Sequence, residues 1–316
     1  MQLIKSPLNY TGNKYRILNQ IQKHFPKNIN IMIDLFCGGA TVGMNTNAKK
    51  IIFIDNSPEI INLLNFFYKN EYNFVLKRIL KTIKKYNLSC SYTNGYKFYR
   101  KQISDANNNN GLKNYNSKQF YIMRNDYNNL KNKTSNNANI LLYLLMIYSF
   151  NNDFRFSKDK KFNLPIGKTD FNKQNAIKLK KFIDSIKNKN CVFLCSDFDS
   201  EIVYRWIKIS DFVYLDPPYL ITSATYNETN NWNNYSEYKL LNLLDKMLSD
   251  GKIFSLSNML EKTGKKNEPL YYWCQKHSDS IKCYGINNNY RSSSYNKINR
   301  NGSEKEVIIT NVTNSK

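Results

Sequence analysis

The stretch IMIDLFCGG (residues 31–39) decides the fold. Its first six residues are apolar apart from Asp34, and two glycines follow, which is the pattern of a buried parallel strand that enters a tight loop. A second apolar run, IIFID (residues 51–55), ends in an acid, and residues 40–47 leave room for one short helix between the two runs. We therefore predict a strand, a glycine loop, a helix and a second strand, the opening unit of an α/β sheet.

Further along the chain, helical and strand patterns alternate in two blocks. From Pro58 onward apolar residues recur at helical spacing. Strand-like runs return only late, at residues 191–195, 212–215, 252–257 and 307–310. Helical spacing in residues 238–248 separates two of them.

The segment between these blocks is rich in Lys, Asn and Tyr, with helical pieces separated by polar low-complexity runs. We predict an α/β, Rossmann-like sheet made of residues 1–70 and 190–316. Residues 71–189 would form an inserted helical domain.

The charge of the chain indicates a polyanionic partner. The 316 residues include 47 Lys and Arg against 24 Asp and Glu, a net charge of +23, which favours nucleic acid as that partner. The Lys-rich and Asn-rich usage of an AT-rich genome is the alternative source of the excess. With 41% hydrophobic and 14% aromatic residues, intrinsic disorder is excluded.

Cysteine and histidine usage bears on metals and on location. Six Cys occur without a C-x-x-C pair, and there are only two His, which argues against a disulfide framework and against a zinc site of closely spaced ligands. The opening residues do not form a signal peptide, and the longest apolar run is far shorter than the roughly 20 residues of a membrane span. We expect a soluble cytoplasmic protein without a metal ion.

The glycine loop favours a nucleoside-containing cofactor. Glycine lets the backbone approach a ligand closely, and in doubly wound folds an acid such as Asp55, at the end of the second strand, bonds ribose hydroxyls. The motif is not G-x-G-x-x-G, and no phosphate-binding P-loop is present. S-adenosylmethionine, which has no pyrophosphate, fits better. A turn that carries glycine for structural reasons alone remains the alternative.

The motif Asp216-Pro217-Pro218-Tyr219 directly follows the strand-like run at residues 212–215. The prolines remove two N–H donors and stiffen the chain, so carbonyls and the Asp carboxylate are fixed acceptors. Acceptors at both N–H bonds of adenine N6 favour a nitrogen whose lone pair can attack a methyl sulfonium in line. Tyr219 would stack on the base after it leaves the duplex. A rigid exit from the strand is the alternative interpretation.

Taken together, four motifs resemble one family. NYTGNK (residues 9–14), DLFCGG (34–39), IDNSPEI (54–60) and DPPY (216–219), in this order with a long insertion before the last, resemble the Dam-like adenine-N6 DNA methyltransferases of the α order.

The resemblance extends to the insertion and to both sides of the last motif. It includes residues 148–168, 216–226 and 289–311. Nearly the whole chain is covered, apart from Asn-rich stretches within the insertion.

Site roles follow from the resemblance position by position. It implies that Asp216, Pro217, Pro218 and Tyr219 form the catalytic pocket. Asp55 would hold the ribose hydroxyls of S-adenosylmethionine, and Asp197 would lie near its adenine. The full set of cofactor-binding residues that the resemblance implies is Tyr10, Lys14, Asp34, Phe36, Gly38, Gly39, Asp55, Asp197 and Asp216.

The resemblance also implies a DNA-reading hairpin in the insertion. Arg155 falls where the family reads a guanine, and a guanidinium fork suits O6 and N7 in the major groove. Asn151 would fill the space left by the flipped adenine, and Lys168 would also contact DNA. Lys160-Lys161 replaces the usual Gly-Glu, which leaves the hairpin turn open. Thr169 replaces an aromatic residue of some relatives, which leaves recognition of the outer bases open.

The resemblance implies an enzyme that transfers a methyl group from S-adenosylmethionine to adenine N6 in double-stranded DNA, within a short guanine-containing site for which GATC is the first candidate. An RNA or rRNA base methyltransferase is one alternative, against which the hairpin around Arg155 argues. An inactive nucleic-acid-binding protein is another, against which the intact acidic motifs argue. We expect a monomer, with a cognate restriction endonuclease as a candidate partner.

Overall fold

The computed structural model describes residues 3–9, 12–103, 108–222, 232–287 and 304–313. They form two compact units. The sheet unit consists of the described parts of Lys14–Cys37, Asn45–Asn56 and Asn190–Lys316. The helical unit consists of the described parts of Met1–Asn13, Gly38–Met44 and Ser57–Lys189. The helix that begins at Pro58 thus belongs to the helical unit, whereas our predicted division, which stays a prediction, assigns it to the catalytic part.

The sheet unit is built on one sheet. Within the described residues its strands are β1 (Ile31–Leu35), β2 (Lys50–Asp55), β3 (Asn190–Cys195), β4 (Phe212–Leu215), β5 (Phe254–Lys262), β6 (Lys265–Lys266), β7 (Lys282–Gly285) and β8 (Glu304–Thr310). The strand order is β3-β2-β1-β4-β5-β8-β7, and β6 pairs with β5. Strands β1 to β5 run parallel, whereas β8 is antiparallel to both β5 and β7.

The strand order places a topological switch point between β1 and β4. The chain proceeds from β1 outward through β2 to β3 on one side, and then returns to β4 and β5 on the other. In open α/β sheets ligands bind outside the carboxyl ends of the strands at such a point. The predicted α/β, Rossmann-like fold class is confirmed, and the loops after β1 and β4 lie where a site is expected.

The described residues contain α-helices at α1 (Leu18–Gln22), α2 (Thr41–Met44), α3 (Pro58–Lys69), α4 (Tyr72–Lys85), α5 (Ser91–Asn94), α6 (Tyr96–Arg100), α7 (Lys113–Asn129), α8 (Asn136–Tyr148), α9 (Lys173–Lys187), α10 (Glu201–Ile209), α11 (Asn234–Ser249) and α12 (Glu268–Lys276). Short 3-10 helices occur at Lys14–Arg16, Asn108–Asn110 and Phe150–Asn152.

One face of the sheet is covered by apolar residues of α10, α11 and α12. Ile33, Ile54 and Val213 of the parallel strands form a buried cluster with Leu244 of α11 and Trp273 of α12. Fully burying one such aliphatic side chain contributes about 1.5–3 kcal/mol, so this layer holds the strand ends in a fixed frame.

The helical unit is organised around α8. Every side chain from Ala138 to Tyr148 is buried, as expected of a helix that is apolar on all sides. Helices α3, α4 and α7 pack against it, and α9 packs against α3 and α4. Among the described residues, no helix has the length and hydropathy that crossing a membrane requires.

A buried carboxylate fixes the helical unit just before α9. Asp170 Oδ2 accepts hydrogen bonds from Ser89 Oγ at 2.9 Å, from Ser91 N at 2.7 Å and from Ser91 Oγ at 2.8 Å. Burial nevertheless raises the pKa of Asp170, and these donors oppose that rise. The chain at residue 170 is therefore anchored directly after the segment that resembles a DNA-reading hairpin.

Candidate active site

The carboxyl ends of β1 and β4 bring the start of the glycine loop beside the Asp-Pro-Pro-Tyr motif. Leu35 is paired with Leu215, and the amide of Asp216 donates a hydrogen bond to the carbonyl of Leu35 at 3.2 Å. The loop that begins at Asp216 therefore starts beside Leu35, the last residue of β1. Neighbouring parallel strands end at the same edge, which is why motifs 180 residues apart in sequence meet here.

The first part of the glycine loop turns sharply. Phe36 has a φ of 65°, a left-handed value that is uncommon for an aromatic residue. The amide of Cys37 then donates to the carbonyl of Ile54 at 2.9 Å, which holds the loop against the end of β2. Burial raises the pKa of Cys37, and the charges of Asp55 and Asp34 raise it further. Two of the four predicted cofactor-binding acids thus lie within electrostatic reach of Cys37.

The second part of the loop belongs to the helical unit and requires a residue without a side chain. Gly38 has a φ of 45°. A Cβ on Gly39 would lie 3.1 Å from Ser6 Oγ and 3.5 Å from the Leu8 carbonyl oxygen, which is tighter than ordinary packing. Glycine is therefore needed so that two backbone segments can approach each other closely.

Two of the predicted catalytic residues, Asp216 and Tyr219, form a cluster with Lys14. Lys14 Nζ lies 2.8 Å from Asp216 Oδ2, and the two side chains are 4% and 19% exposed. The same ammonium lies 5.1 Å from the centre of the Tyr219 ring, within cation–π range. Lys14, which the resemblance places at the cofactor, is thus in direct contact with Asp216.

The electrostatics of Asp216 reflect opposing influences. Burial raises the pKa of its carboxyl, the Lys14 ammonium lowers it, and the nearby Glu306 carboxylate raises it again. Burial also raises the pKa of Tyr219 well above its usual range, with the charges of Asp216 and Glu306 adding to the effect. The Tyr219 hydroxyl is therefore a protonated hydrogen-bond donor at neutral pH.

Tyr219 joins the cluster to the sheet through a residue that the sequence did not single out. Its hydroxyl lies 3.0 Å from Glu306 Oε1 on β8 and 3.4 Å from Asp216 Oδ1. Between the two ends of the motif, Pro217 is buried and Pro218 is half-buried. Glu306 follows the exposed charged residues Glu304 and Lys305 of β8, so its burial and this long-range contact, rather than a sequence pattern, identify it.

An aromatic cluster borders the loop after β3. The ring of Phe36 is 5.2 Å from that of Phe198, and Trp232 packs against both. Asp197, next to Phe198, is exposed, and the amide of Ser196 donates to the carbonyl of Asp55 at 3.1 Å. The segment that carries Asp197 therefore adjoins the end of β2. Sequence spacing did not indicate this cluster.

The segment that resembles a DNA-reading hairpin lies in the helical unit. Two isolated antiparallel β-bridges hold it together, one between Ser149 and Ile166 and one between Phe156 and Phe162. Gly167 permits the first bridge, since a Cβ there would overlap the Ser149 carbonyl oxygen.

The sequence did not decide whether Lys160-Lys161 can form the hairpin turn. In the structure the chain does turn at Lys160. The amide of Ser157 donates to the Lys161 carbonyl at 2.8 Å, and Lys160 adopts a left-handed φ of 56°. The Lys-Lys pair is therefore compatible with a turn.

Arg155 has a partner within the hairpin. Its Nε donates a hydrogen bond to the side-chain oxygen Oδ1 of Asn163 at 2.9 Å. The backbone N–H of Asn163 in turn donates to the backbone carbonyl of Arg155 at 3.0 Å. Asn151 has a left-handed φ of 58°, and Lys168 is exposed. Asn163, which orients the guanidinium, was not among the predicted residues.

Some predicted features lie outside the described residues, namely Tyr10 and the parts of the matched segments at residues 223–226 and 289–303. Among the residues that the structure does describe, no three His, Cys, Asp or Glu side chains converge as a metal site requires.

The fold and the cluster at the end of β4 define the class as a Rossmann-like methyltransferase. The family model for D12 class N6 adenine-specific DNA methyltransferases matches residues 10–284. The chain belongs to this family, which confirms the resemblance drawn from its motifs.

Three relatives add detail. The chain is 37% identical over 317 residues to the type II methyltransferase M.FokI of Planomicrobium okeanokoites, covering 98% of this chain and 43% of that protein. It is 35% identical over 314 residues to the modification methylase StsI of Streptococcus sanguinis, with coverages of 98% and 43%. It is 27% identical over 214 residues to a DNA adenine methylase of Haemophilus influenzae, covering 67% of this chain and 63% of that protein. The chain thus spans less than half the length of the first two relatives.

Proposed function

We propose that this chain transfers a methyl group from S-adenosylmethionine to N6 of an adenine in double-stranded DNA. The observation that carries the proposal is the buried contact of Lys14 with Asp216 at the end of β4, beside the loop that follows β1. A carboxylate held in a stiff Pro-Pro loop is suited to accept a hydrogen bond from an exocyclic amine.

The residues around the loop fit S-adenosylmethionine. The left-handed φ of Phe36 turns the backbone sharply at the end of β1, where the methionine part would bind. The buried acid Asp55 ends β2, where a carboxylate can accept from ribose hydroxyls. Exposed Asp197 would lie near the cofactor adenine. When bound, the cofactor supplies a methyl group on a positively charged sulfur.

The chain's own residues would orient the adenine. Asp216 Oδ1 accepts one N6–H and the Pro217 carbonyl accepts the other, so the lone pair points toward the methyl group. Asp216 and Pro217 would thereby hold N6 in line with the methyl group that S-adenosylmethionine would supply, with the bonding electrons of the broken S–C bond left on the departing sulfur. The surplus proton on N6 leaves through the Asp216 carboxylate to water. Tyr219 stacks on the base, which must leave the duplex.

Site recognition would rest on the hairpin. With Nε bound to Asn163, Arg155 retains two terminal nitrogens for the guanine O6 and N7. Asn151 and Lys168 would contact DNA nearby. We propose a guanine-containing site, with GATC the first sequence to test. Relatives named as type II and modification enzymes make a cognate restriction endonuclease a candidate partner.

The test is methyl transfer by the purified chain from tritiated S-adenosylmethionine to duplex DNA and to RNA. Long-read sequencing of DNA from a host that expresses the chain then reports the modified base and its site. We expect N6-methyladenine in duplex DNA at one short sequence. Methylation of RNA alone, or of cytosine, would refute the proposal.

A further inference from the structure

Glu306 occupies a fixed, buried position beside the catalytic cluster. Glu306 is 4% exposed, and its strand β8 pairs with β5 on one side and with β7 on the other. It is in register with Met259 of β5, and its carbonyl accepts a hydrogen bond from the Ile286 amide at 2.9 Å. The carboxylate is therefore presented to Tyr219 by a rigid backbone.

Tyr219 has one hydroxyl proton and two carboxylate neighbours. Glu306 Oε1 lies at 3.0 Å, within the usual range for an O–H···O bond, whereas Asp216 Oδ1 lies at 3.4 Å, beyond it. The proton is therefore directed to Glu306. The longer contact leaves Asp216 Oδ1 only weakly engaged.

The other oxygen of Asp216 is already occupied. Oδ2 is bound by Lys14 at 2.8 Å. Within the described part of the chain, the side-chain contacts of Asp216 are with Lys14 and Tyr219. The arrangement divides the carboxylate into one anchored oxygen and one available acceptor.

We propose that Glu306 is a positioning residue that holds the hydroxyl proton of Tyr219, so that Asp216 Oδ1 stays available to accept a hydrogen bond from adenine N6. This inference rests on the proposed function. Without Glu306 the Tyr219 hydroxyl donates to Asp216 Oδ1 and competes with the amine.

A suppressor experiment separates this role from a structural one. Glu306→Ala should lower kcat for methyl transfer by about 10- to 100-fold, the range expected when a hydrogen bond to a charged group must first be displaced. Adding Tyr219→Phe removes the competing proton, so the double variant should recover about 5- to 10-fold over Glu306→Ala. Glu304→Gln is the matched control and should leave kcat unchanged. Glu304 lies in the same strand, and its Oε1 is 3.7 Å from Lys262 Nζ.

A conservative variant guards against misfolding. Glu306→Gln keeps an acceptor oxygen but removes a charge that raises the pKa of Asp216. That pKa should fall, so the acid limb of the kcat profile should move to lower pH. This readout is independent of whether Glu306→Ala folds.

The outcomes are distinct. Recovery in the double variant supports the inference. So does a Glu306→Gln variant whose kcat above the acid limb stays near the wild-type value, because its amide oxygen can still accept the Tyr219 proton. A double variant no faster than Glu306→Ala, or Glu306→Ala with wild-type kcat, would overturn it. If Glu306→Ala does not fold, a Glu306→Gln variant whose kcat above the acid limb falls as far as expected for Glu306→Ala overturns it instead. A wild-type chain that methylates no DNA would refute the proposed function itself.

Discussion

Replacing Lys14 by Met isolates the electrostatic role of the ion pair with Asp216. Burial raises the pKa of Asp216 and Lys14 lowers it, so removing the ammonium leaves the effect of burial largely unopposed. A hydrogen bond to a charged group contributes about 1.5–3 kcal/mol, which corresponds to about a 10- to 150-fold lower ionised fraction of Asp216 at any pH below its pKa. Because the ionised carboxylate is the acceptor in the proposed reaction, kcat should fall most at low pH.

The assay is methyl transfer at saturating DNA and cofactor across a pH series. In Lys14→Met the acid limb should move to higher pH, and kcat should approach the wild-type value at the alkaline end. Lys180→Met is the matched control, since Lys180 pairs with Asp184 at 2.6 Å on an exposed helix face. An unmoved acid limb, with only the KM for S-adenosylmethionine raised, would refute this reasoning and assign Lys14 to the cofactor.

Three further variants test other parts of the chain. Asp55→Ala should weaken binding of S-adenosylmethionine while DNA affinity changes little; unaltered cofactor affinity by calorimetry would contradict the ribose role. Arg155→Ala should lose about 1–3 kcal/mol of discrimination at one base pair. Methylation rates are measured on duplexes substituted at each position of the site. If Arg155 only contacts phosphate, its replacement will lower the rate equally on all of these duplexes. Asp170→Ala removes the acceptor of Ser89 and Ser91, so the free energy of unfolding in urea should fall by about 1–3 kcal/mol for each buried donor left unpaired.

The parallel half of the sheet could be predicted because its signals are local. Buried parallel strands give apolar runs, and β4 was predicted with the bounds that the structure has, Phe212–Leu215. β5 begins two residues later and ends five residues later than its predicted run, since the polar residue Asn258 interrupts the apolar pattern before buried Met259 and Leu260. β8 begins three residues before its predicted run, because its first residues, 304–306, are charged. β7 was missed, since three of its four residues are exposed and it pairs only at the edge.

The site was predictable only where motifs mark it. Asp216 and the glycine loop stand in recognisable patterns, whereas Glu306 and Asn163 act through partners fixed by the fold. Glu306 is 87 residues from Tyr219, and nothing local to β8 indicates that contact. The contact of Lys14 with Asp216 likewise depends on strand order.

The position of β8 has a consequence for synthesis on the ribosome. β8 inserts between β5 and β7, and within the described residues β7 joins the sheet through β8 alone. β5 ends at Lys262 and β8 begins at Glu304, so at about 5–20 residues per second β5 presents an unpaired edge for about 2–8 s of translation. Throughout that interval the nascent chain already carries Lys14, Asp216 and Tyr219. The carboxylate that binds the Tyr219 hydroxyl arrives only with the strand that closes this edge.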